Sequence, residues 1–142
     1  MIQENNKAKR TLKQIREEEK KVIETALKEK CEAYAEAKYT KEQIVRWSNE
    51  HQGLWFLPVL DEDGEIFKLS IMKPINRHIL SHASTKLEDE GLYVFLEACM
   101  RECLVNDDEE GQFVLEDEES FISGSMEFNK ILKGRKVGLL KR

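Results

Sequence analysis

The segment from Lys7 to about Lys38 contains neither glycine nor proline and is rich in Ala, Glu, Lys, Leu and Arg. These residue types have high intrinsic helix propensity, so the segment predicts one long helix near the start of the chain. Two oppositely charged pairs, Glu17 with Lys21 and Glu24 with Lys28, are spaced in the order that stabilises a helix. The fold must therefore accommodate a helix much longer than the average of about 11–12 residues.

Apolar residues recur along this segment at helical spacing, and six of them are candidates for binding a partner. They are Leu12, Ile15, Val22, Ile23, Leu27 and Tyr34. In a heptad alignment Glu19 falls at an apolar position, so a strict coiled coil is not expected. The pattern instead predicts a helix that docks on a partner or on its own domain. We therefore divide the chain into an N-terminal helical extension, residues 1–38, and a compact domain, residues 39–142, that folds without it.

The compact domain begins with a second helix. Thr40 followed by Gln43 is a capping-box pattern, which predicts a helix start, and Gly53 predicts the helix end. Trp47 lies on the apolar side of this helix and is expected to be part of the core.

Two hydrophobic runs then flank an acidic turn. The runs are LWFLPVL and EIFKLSIMK, and Asp61-Glu62-Asp63-Gly64 lies between them. An Asp-Gly pair in that position strongly favours a β-hairpin. Pro58 predicts that the first strand is an edge strand or carries a bulge. Alternating apolar and polar residues from Phe67 to Ile71 predict a half-buried second strand.

The remainder of the chain is predicted to be mainly helical. Helices are expected at residues 75–83, 87–104 and 118–132, with Gly134 ending the last one, and the QFVL run is a candidate short strand. The tail RKVGLLKR is either a strand or a frayed end. The predicted fold class is α+β: a small antiparallel hairpin packed by helices, with a long N-terminal helix.

Charge and composition narrow the function class. The chain has 142 residues, and 36% of them are charged, against about 25% in an average domain, which indicates extensive solvated helix surface. The net charge is −5, and ten acids without a base lie between Glu102 and Glu127, so we do not expect a nucleic acid partner. No apolar run is long enough to span a membrane, and the first residues lack the apolar core of a signal peptide.

Three cysteines, Cys31, Cys99 and Cys103, are expected to be reduced thiols in a cytoplasm. Two of them form a possible zinc set with histidines, because His78 with His82 and Cys99 with Cys103 each present two ligands to one side of a predicted helix. Both thiols also lie on an apolar helix face, which favours simple core packing. Both interpretations stay open from the sequence.

The sequence contains neither of the catalytic motifs H-E-x-x-H and G-x-S-x-G, and it contains no glycine-rich phosphate-binding loop. Asp61–Gly64 resembles the start of a calcium loop but leads into a strand. The acidic run Asp107–Glu110 could bind a divalent ion loosely, yet it is too polar for acid–base catalysis. We expect neither an enzyme nor a cofactor.

The order of the elements resembles a family of small tailed-phage proteins, tail-assembly chaperone-like in layout, found in crAss-like and related phages. The matching residues are Arg46-Trp47-Ser48-Asn49-Glu50-His51, Asp63-Gly64-Glu65, Lys73-Pro74 and Phe95-Leu96-Glu97-Ala98-Cys99. The resemblance covers about residues 40–140, and the first 38 residues have no counterpart in that family.

This resemblance implies a non-enzymatic phage protein that binds other phage structural proteins, or itself, during virion or tail assembly or as a virion component. It places the protein in the host cytoplasm during assembly or in the virion. One alternative is a cargo protein that is packaged in the particle and ejected into the host. Another is a zinc-stabilised regulatory module that uses the His78, His82, Cys99 and Cys103 set.

Overall fold

The computed structural model describes residues 11–132 and 138–142. Within these residues six helices accompany one antiparallel pair of strands, so the predicted α+β class is confirmed. In chain order the elements are α1 Leu12–Tyr39, α2 Lys41–His51, β1 Trp55–Leu60, β2 Ile66–Met72, α3 Arg77–Glu90, α4 Leu92–Cys103, α5 Glu109–Glu116 and α6 Glu118–Ile131.

A reciprocal cap begins the described part of α1. The Thr11 hydroxyl accepts a hydrogen bond from the Gln14 backbone N–H at 3.2 Å, and the Gln14 side chain accepts one from the Thr11 N–H at 3.2 Å. Such a capping box satisfies two backbone donors that a helix start otherwise leaves unpaired. The predicted helix start at Lys7 lies outside the described residues.

A single residue separates α1 from α2. Thr40 has a φ of 72°, in the left-handed region, and its hydroxyl accepts a hydrogen bond from the Gln43 N–H at 3.3 Å. The cap predicted at this position is therefore confirmed. The sharp turn brings the Tyr39 and Trp47 rings together edge to face, with centroids 5.3 Å apart.

The acidic turn between β1 and β2 is organised by one side chain. The Asp61 carboxylate accepts hydrogen bonds from the N–H groups of Asp63 and Glu65, each at 2.9 Å. Gly64 has a φ of 77°, which a residue without Cβ adopts without strain. The predicted hairpin is confirmed, and its register shifts at a bulge between Val59 and Leu60.

The hairpin separates two apolar cores. On one face it packs against α1 and α2, with Cys31, Ala35, Ile44, Leu69 and Ile71 buried. On the other face it packs against the later helices, with Met72, Ile79, Ala83, Phe95, Leu96, Cys99, Met100, Cys103, Val114, Leu115 and Phe128 buried. Both faces of β2 are therefore covered at its C-terminal end.

This two-sided packing corrects the prediction of a half-buried second strand. The alternating pattern places Ser70 toward solvent, but Ser70 is only 1% exposed. Its hydroxyl donates a hydrogen bond to the Gly111 carbonyl at 2.6 Å, so the polar group is satisfied inside the protein. The sequence pattern could not reveal the second layer of helices that covers this face.

The outer edge of β2 pairs with the segment between α4 and α5 instead of a third strand. The Asn106 side chain accepts a hydrogen bond from the Ile71 N–H at 2.8 Å and donates one to the Leu69 carbonyl at 2.9 Å. The Val105 N–H donates to the Ile71 carbonyl at 2.8 Å. One carboxamide thus takes the place of a neighbouring strand along this stretch.

Glu110 completes the same edge. Its carboxylate accepts hydrogen bonds from the Leu69 N–H at 3.0 Å and from the Tyr34 hydroxyl at 2.6 Å. The ammonium groups of Lys68 and Lys38 lie 3.6 and 4.0 Å from it. A carboxylate that is mostly shielded from solvent is therefore neutralised and hydrogen-bonded by two elements, α1 and β2.

The boundary between the first two helices of the C-terminal half and the candidate QFVL strand were predicted wrongly. Gly91, with a φ of 94°, separates α3 from α4, so α3 runs well past the end predicted at residue 83. The QFVL run lies in α5 and is not a strand. Asp108 caps α5 by accepting a hydrogen bond from the Gly111 N–H at 2.9 Å, so the acidic run is a helix start.

The last predictions concern the end of the chain. α6 ends at Ile131, close to the predicted position. Gly134, its predicted terminator, and the first residues of the predicted tail strand lie outside the described residues. The described tail, residues 138–142, is exposed and has neither helix nor strand structure.

The boundary predicted at residue 38 falls within a packed segment. Cys31 and Ala35 of α1 are 2% and 0% exposed and lie against the hairpin and α2. The second half of α1 therefore belongs to the same packed unit as the hairpin. The independent folding of residues 39–142 stays a prediction, and the packing argues against it.

We expect two N-terminal truncations to behave differently. A chain that starts at Thr25 keeps the packed half of α1 and should unfold cooperatively near the melting temperature of the full chain. A chain that starts at Tyr39 uncovers Leu69 and Ile71, and each uncovered aliphatic side chain costs about 1.5–3 kcal/mol. Thermal unfolding followed by circular dichroism measures both. Equal melting temperatures for the two truncations would contradict this assignment.

Asn106→Ala should destabilise the protein because it leaves the Ile71 N–H and the Leu69 carbonyl unpaired in a buried position. Each buried unpaired backbone group costs about 1–3 kcal/mol. The exposed Asn49 on α2 provides the matched control, and Asn49→Ala should leave the denaturant midpoint within error of wild type. A similar midpoint for both variants would show that Asn106 does not support the edge of β2.

Candidate functional site

The first half of α1 extends beyond the packed domain. Every residue from 11 to 26 is exposed. Four large apolar side chains occupy this stretch: Leu12, Ile15, Val22 and Ile23, exposed by 72%, 38%, 70% and 68%. We refer to these four residues as the α1 stripe.

The other two partner-binding candidates, Leu27 and Tyr34, are half-buried and contact other parts of the protein. Leu27 packs against the core formed by α1, α2 and the hairpin. Burial, followed by the hydrogen bond to Glu110, raises the pKa of the Tyr34 hydroxyl to about 12. The Tyr34 hydroxyl already has a hydrogen-bond partner inside the protein, so we remove Tyr34 from the partner-binding set, whereas Leu27 also lines an open groove.

The α1 stripe and the buried part of α1 lie on different sides of the helix. At about 100° per residue, the stripe is centred roughly a third of a turn away from Leu27, Cys31 and Ala35. The stripe is therefore not a continuation of the face that packs on the hairpin. It is an independent apolar surface, although the sequence presents the two as one stripe.

A second apolar surface lies along the free edge of β1. An open groove of about 710 Å³ runs between α1, β1 and α6, and its lining includes Leu27, Trp55, Phe56, Pro58 and Ile131. Trp55 is 51% exposed. Because β1 pairs with β2 alone among the described strands, Pro58 lies on an edge strand, as predicted. The sequence could not reveal the groove, since its walls come from distant segments.

The zinc set is not brought together. Cys99 and Cys103 are fully buried in the core, whereas His78 and His82 lie exposed on α3. Burial raises the pKa of the Cys99 thiol to about 11 and that of Cys103 to about 12, so both hold their protons. Within the described residues there is no group of three or more His, Cys, Asp or Glu side chains that could hold a metal ion. The four-ligand zinc hypothesis is wrong, because both thiols are core packing.

The acidic run also differs from the expected loose cation site. Asp108 caps α5 and accepts a hydrogen bond from the Tyr39 hydroxyl at 2.7 Å. Glu110 lies against β2 as described above, and Asp107 accepts a hydrogen bond from the Gln112 amide. Two of its four carboxylates, Asp108 and Glu110, hold α5 against α1 and the hairpin, whereas the Asp107 bond is local to α5. That structural role was not visible in the sequence.

No family model, curated protein or solved structure matches this chain. The residues that carry the phage resemblance lie in α2, in the hairpin turn, just after β2 and in α4. Each set has a local structural reason to be there, as a helix, a turn or a core face. No helix in the described part of the chain is long and apolar enough to cross a bilayer.

We expect Cys99→Ala with Cys103→Ala to fold and to lose only about 1–2 kcal/mol per site, the packing of two small side chains. Cys31→Ala is the control for removing a buried thiol from the opposite core. Denaturant unfolding measures the loss, and metal analysis of the purified protein accompanies it. A double variant that is unfolded as purified, together with stoichiometric zinc in the wild type, would restore the zinc hypothesis.

The buried thiols also predict a loss of stability at high pH. In the unfolded chain a cysteine ionises near its ordinary pKa of about 8.5. Because the folded-state pKa values of Cys99 and Cys103 are raised to about 11 and about 12, their contribution is complete below about pH 8.5 and is lost as the pH rises through those values. The double alanine variant should therefore lose less stability than wild type between about pH 8.5 and pH 11. Parallel unfolding curves across that range would contradict the assignment.

Proposed function

We propose that this chain is a non-enzymatic bacteriophage protein that acts through protein–protein contacts. It serves virion or tail assembly, or it remains as a component of the particle. The observation that supports this proposal best is the exposed half of α1, which carries the α1 stripe away from the packed domain.

A free helix of this kind has a physical reason to bind. A short isolated helix is only marginally stable in water, and it normally gains stability by packing an apolar face against another element. Here the first half of α1 is continuous with a packed second half, so its helical conformation is already nucleated. A partner that covers the α1 stripe then has little ordering entropy to offset.

The spacing of the α1 stripe fits a helix lying in a groove or along another helix. Leu12, Ile15, Val22 and Ile23 occupy one side of α1 and provide anchors over about three turns. Two charged residues accompany them: Glu19 lies within the stripe and Arg16 lies beside it. This mixture of apolar anchors and charges is typical of an interface that opens and closes more readily than a permanent core.

Val22→Gln with Ile23→Gln tests the proposal. Both side chains are exposed, so the melting temperature should stay close to wild type, since surface substitutions usually lie within about 0.5 kcal/mol. The variant should lose at least about tenfold of its affinity for the phage structural protein that co-purifies with wild type from infected cells, or of its self-association. Mass spectrometry identifies the partner, and light scattering measures self-association.

Val45→Gln is the matched control, because Val45 is 50% exposed on α2 and lies outside the stripe. It should bind as wild type does. If the double variant co-purifies with the same phage proteins in the same amounts as the control, the α1 stripe is not the docking surface. Proteomics of purified particles then separates a virion component or cargo protein, which is retained, from an assembly chaperone, which is not.

A further inference from the structure

The two histidines of the rejected zinc set, His78 and His82, are both exposed. His78 and His82 lie on successive turns of α3, with ring centroids 6.2 Å apart and ring planes within 7° of each other. Both line an open surface pocket between α3 and α4 of about 530 Å³. Imidazoles four residues apart on a helix project from the same side, so both can reach one ligand.

Glu102 of α4 orients one of these rings. Its Oε1 lies 2.6 Å from Nδ1 of His82. A carboxylate oxygen only accepts, so Nδ1 carries the proton, and in the neutral imidazole Nε2 then presents its lone pair. A carboxylate that holds the far nitrogen of a histidine fixes the tautomer and ring orientation that a metal ion requires.

The second ring is free to adjust. His78 is exposed, and it makes no hydrogen bond or ion pair with another described residue beyond its ring contact with His82. A rotation of its side chain can therefore bring its nitrogen within the Zn–N distance of about 2.0–2.1 Å from a shared ion. This adjustment displaces no buried group.

Two basic groups near the pair, Lys86 and Arg101, are engaged in ion pairs. The Lys86 ammonium, which is the basic group on the pocket wall, lies 3.5 Å from the Glu90 carboxylate in the next turn of α3. Arg101 on α4 is paired with Glu97 at 2.8 Å. The carboxylate of Glu102 adds negative charge beside His82. Glu102 is the charged group that contacts the pair directly, and its negative charge favours a bound cation.

We propose that His78 and His82 chelate a divalent transition-metal ion, with Glu102 as a positioning residue and water at the remaining coordination positions. Imidazole nitrogens suit Zn²⁺, Ni²⁺ and Cu²⁺, whereas Mg²⁺ and Ca²⁺ take oxygen ligands. Structural zinc sites use four protein ligands, so two histidines give a reversible surface site that does not hold the fold together. The buried cysteines take no part.

Zinc titrated into the full chain by isothermal calorimetry tests the site, with Mg²⁺ as the negative ion. We expect one zinc per chain and at least about a tenfold loss of affinity in His78→Ala and in His82→Ala. His51→Ala is the matched control, because His51 is the third histidine of the chain and lies on α2. It should bind zinc as wild type does.

Glu102→Gln tests the positioning role. Changes to the groups that orient a ligand typically cost about 10–100-fold in metal affinity, so at least tenfold is expected. Nitrogen NMR of His82 without metal should show the Nδ1–H tautomer in wild type and a mixture in Glu102→Gln, at an unchanged melting temperature. If Glu102 had only a structural role, Glu102→Gln would change the melting temperature and leave the His82 tautomer unchanged.

Two results would overturn the proposal. One is undiminished zinc affinity in the His78→Ala, His82→Ala double variant. The other is loss of zinc in the Cys99→Ala, Cys103→Ala variant, which would place the ion at the thiols. Neither measurement requires a binding partner. The metal-site proposal can therefore fail without affecting the function proposed for the α1 stripe, and the reverse also holds.

Discussion

The structure depends on how the outer edge of β2 is satisfied. A two-stranded sheet leaves backbone donors and acceptors unpaired along each edge, and here the edge of β2 lies inside the protein, where unpaired groups are costly. The Asn106 carboxamide and the Glu110 carboxylate form hydrogen bonds with the backbone of Leu69 and Ile71, in place of a third strand. Glu110 also binds Tyr34 of α1, so the same interaction holds the long helix, the hairpin and α5 together.

The covered hairpin explains the division of α1 into two parts. The outer edge of β2 is hydrogen-bonded, and its two faces contact different helical layers. Leu69 and Ile71 contact one layer, and Ser70 and Met72 contact the other. The second half of α1 covers the first pair, and the first half continues the same helix with every residue from 11 to 26 exposed. The exposed α1 stripe is thus a consequence of where the sheet ends. Its apolar side chains are exposed, and the docking proposal rests on that exposure.

The two candidate surfaces differ in the chemistry they offer. The α1 stripe is apolar with flanking charges and suits a protein partner, whereas His78 and His82 with Glu102 suit a transition-metal ion. The sequence grouped these histidines with two thiols, but the thiols are buried and the histidines are exposed. Cys99 and Cys103 are held neutral in the core, where their raised pKa values make them poor metal ligands.

Local signals in the sequence determined the long helix, the Thr40 cap, the Asp61–Gly64 hairpin and the α+β class, because caps, turns and periodicity act over a few residues. Tertiary structure decided what those signals leave open: the burial of Ser70, the helical state of the QFVL run and the role of the acidic run. It also decided that Leu27 and Tyr34 pack against the core of α1, α2 and the hairpin, and that His82 contacts Glu102. Each of these depends on contacts between segments far apart in the chain, and periodicity reports that a face is apolar without reporting what covers it.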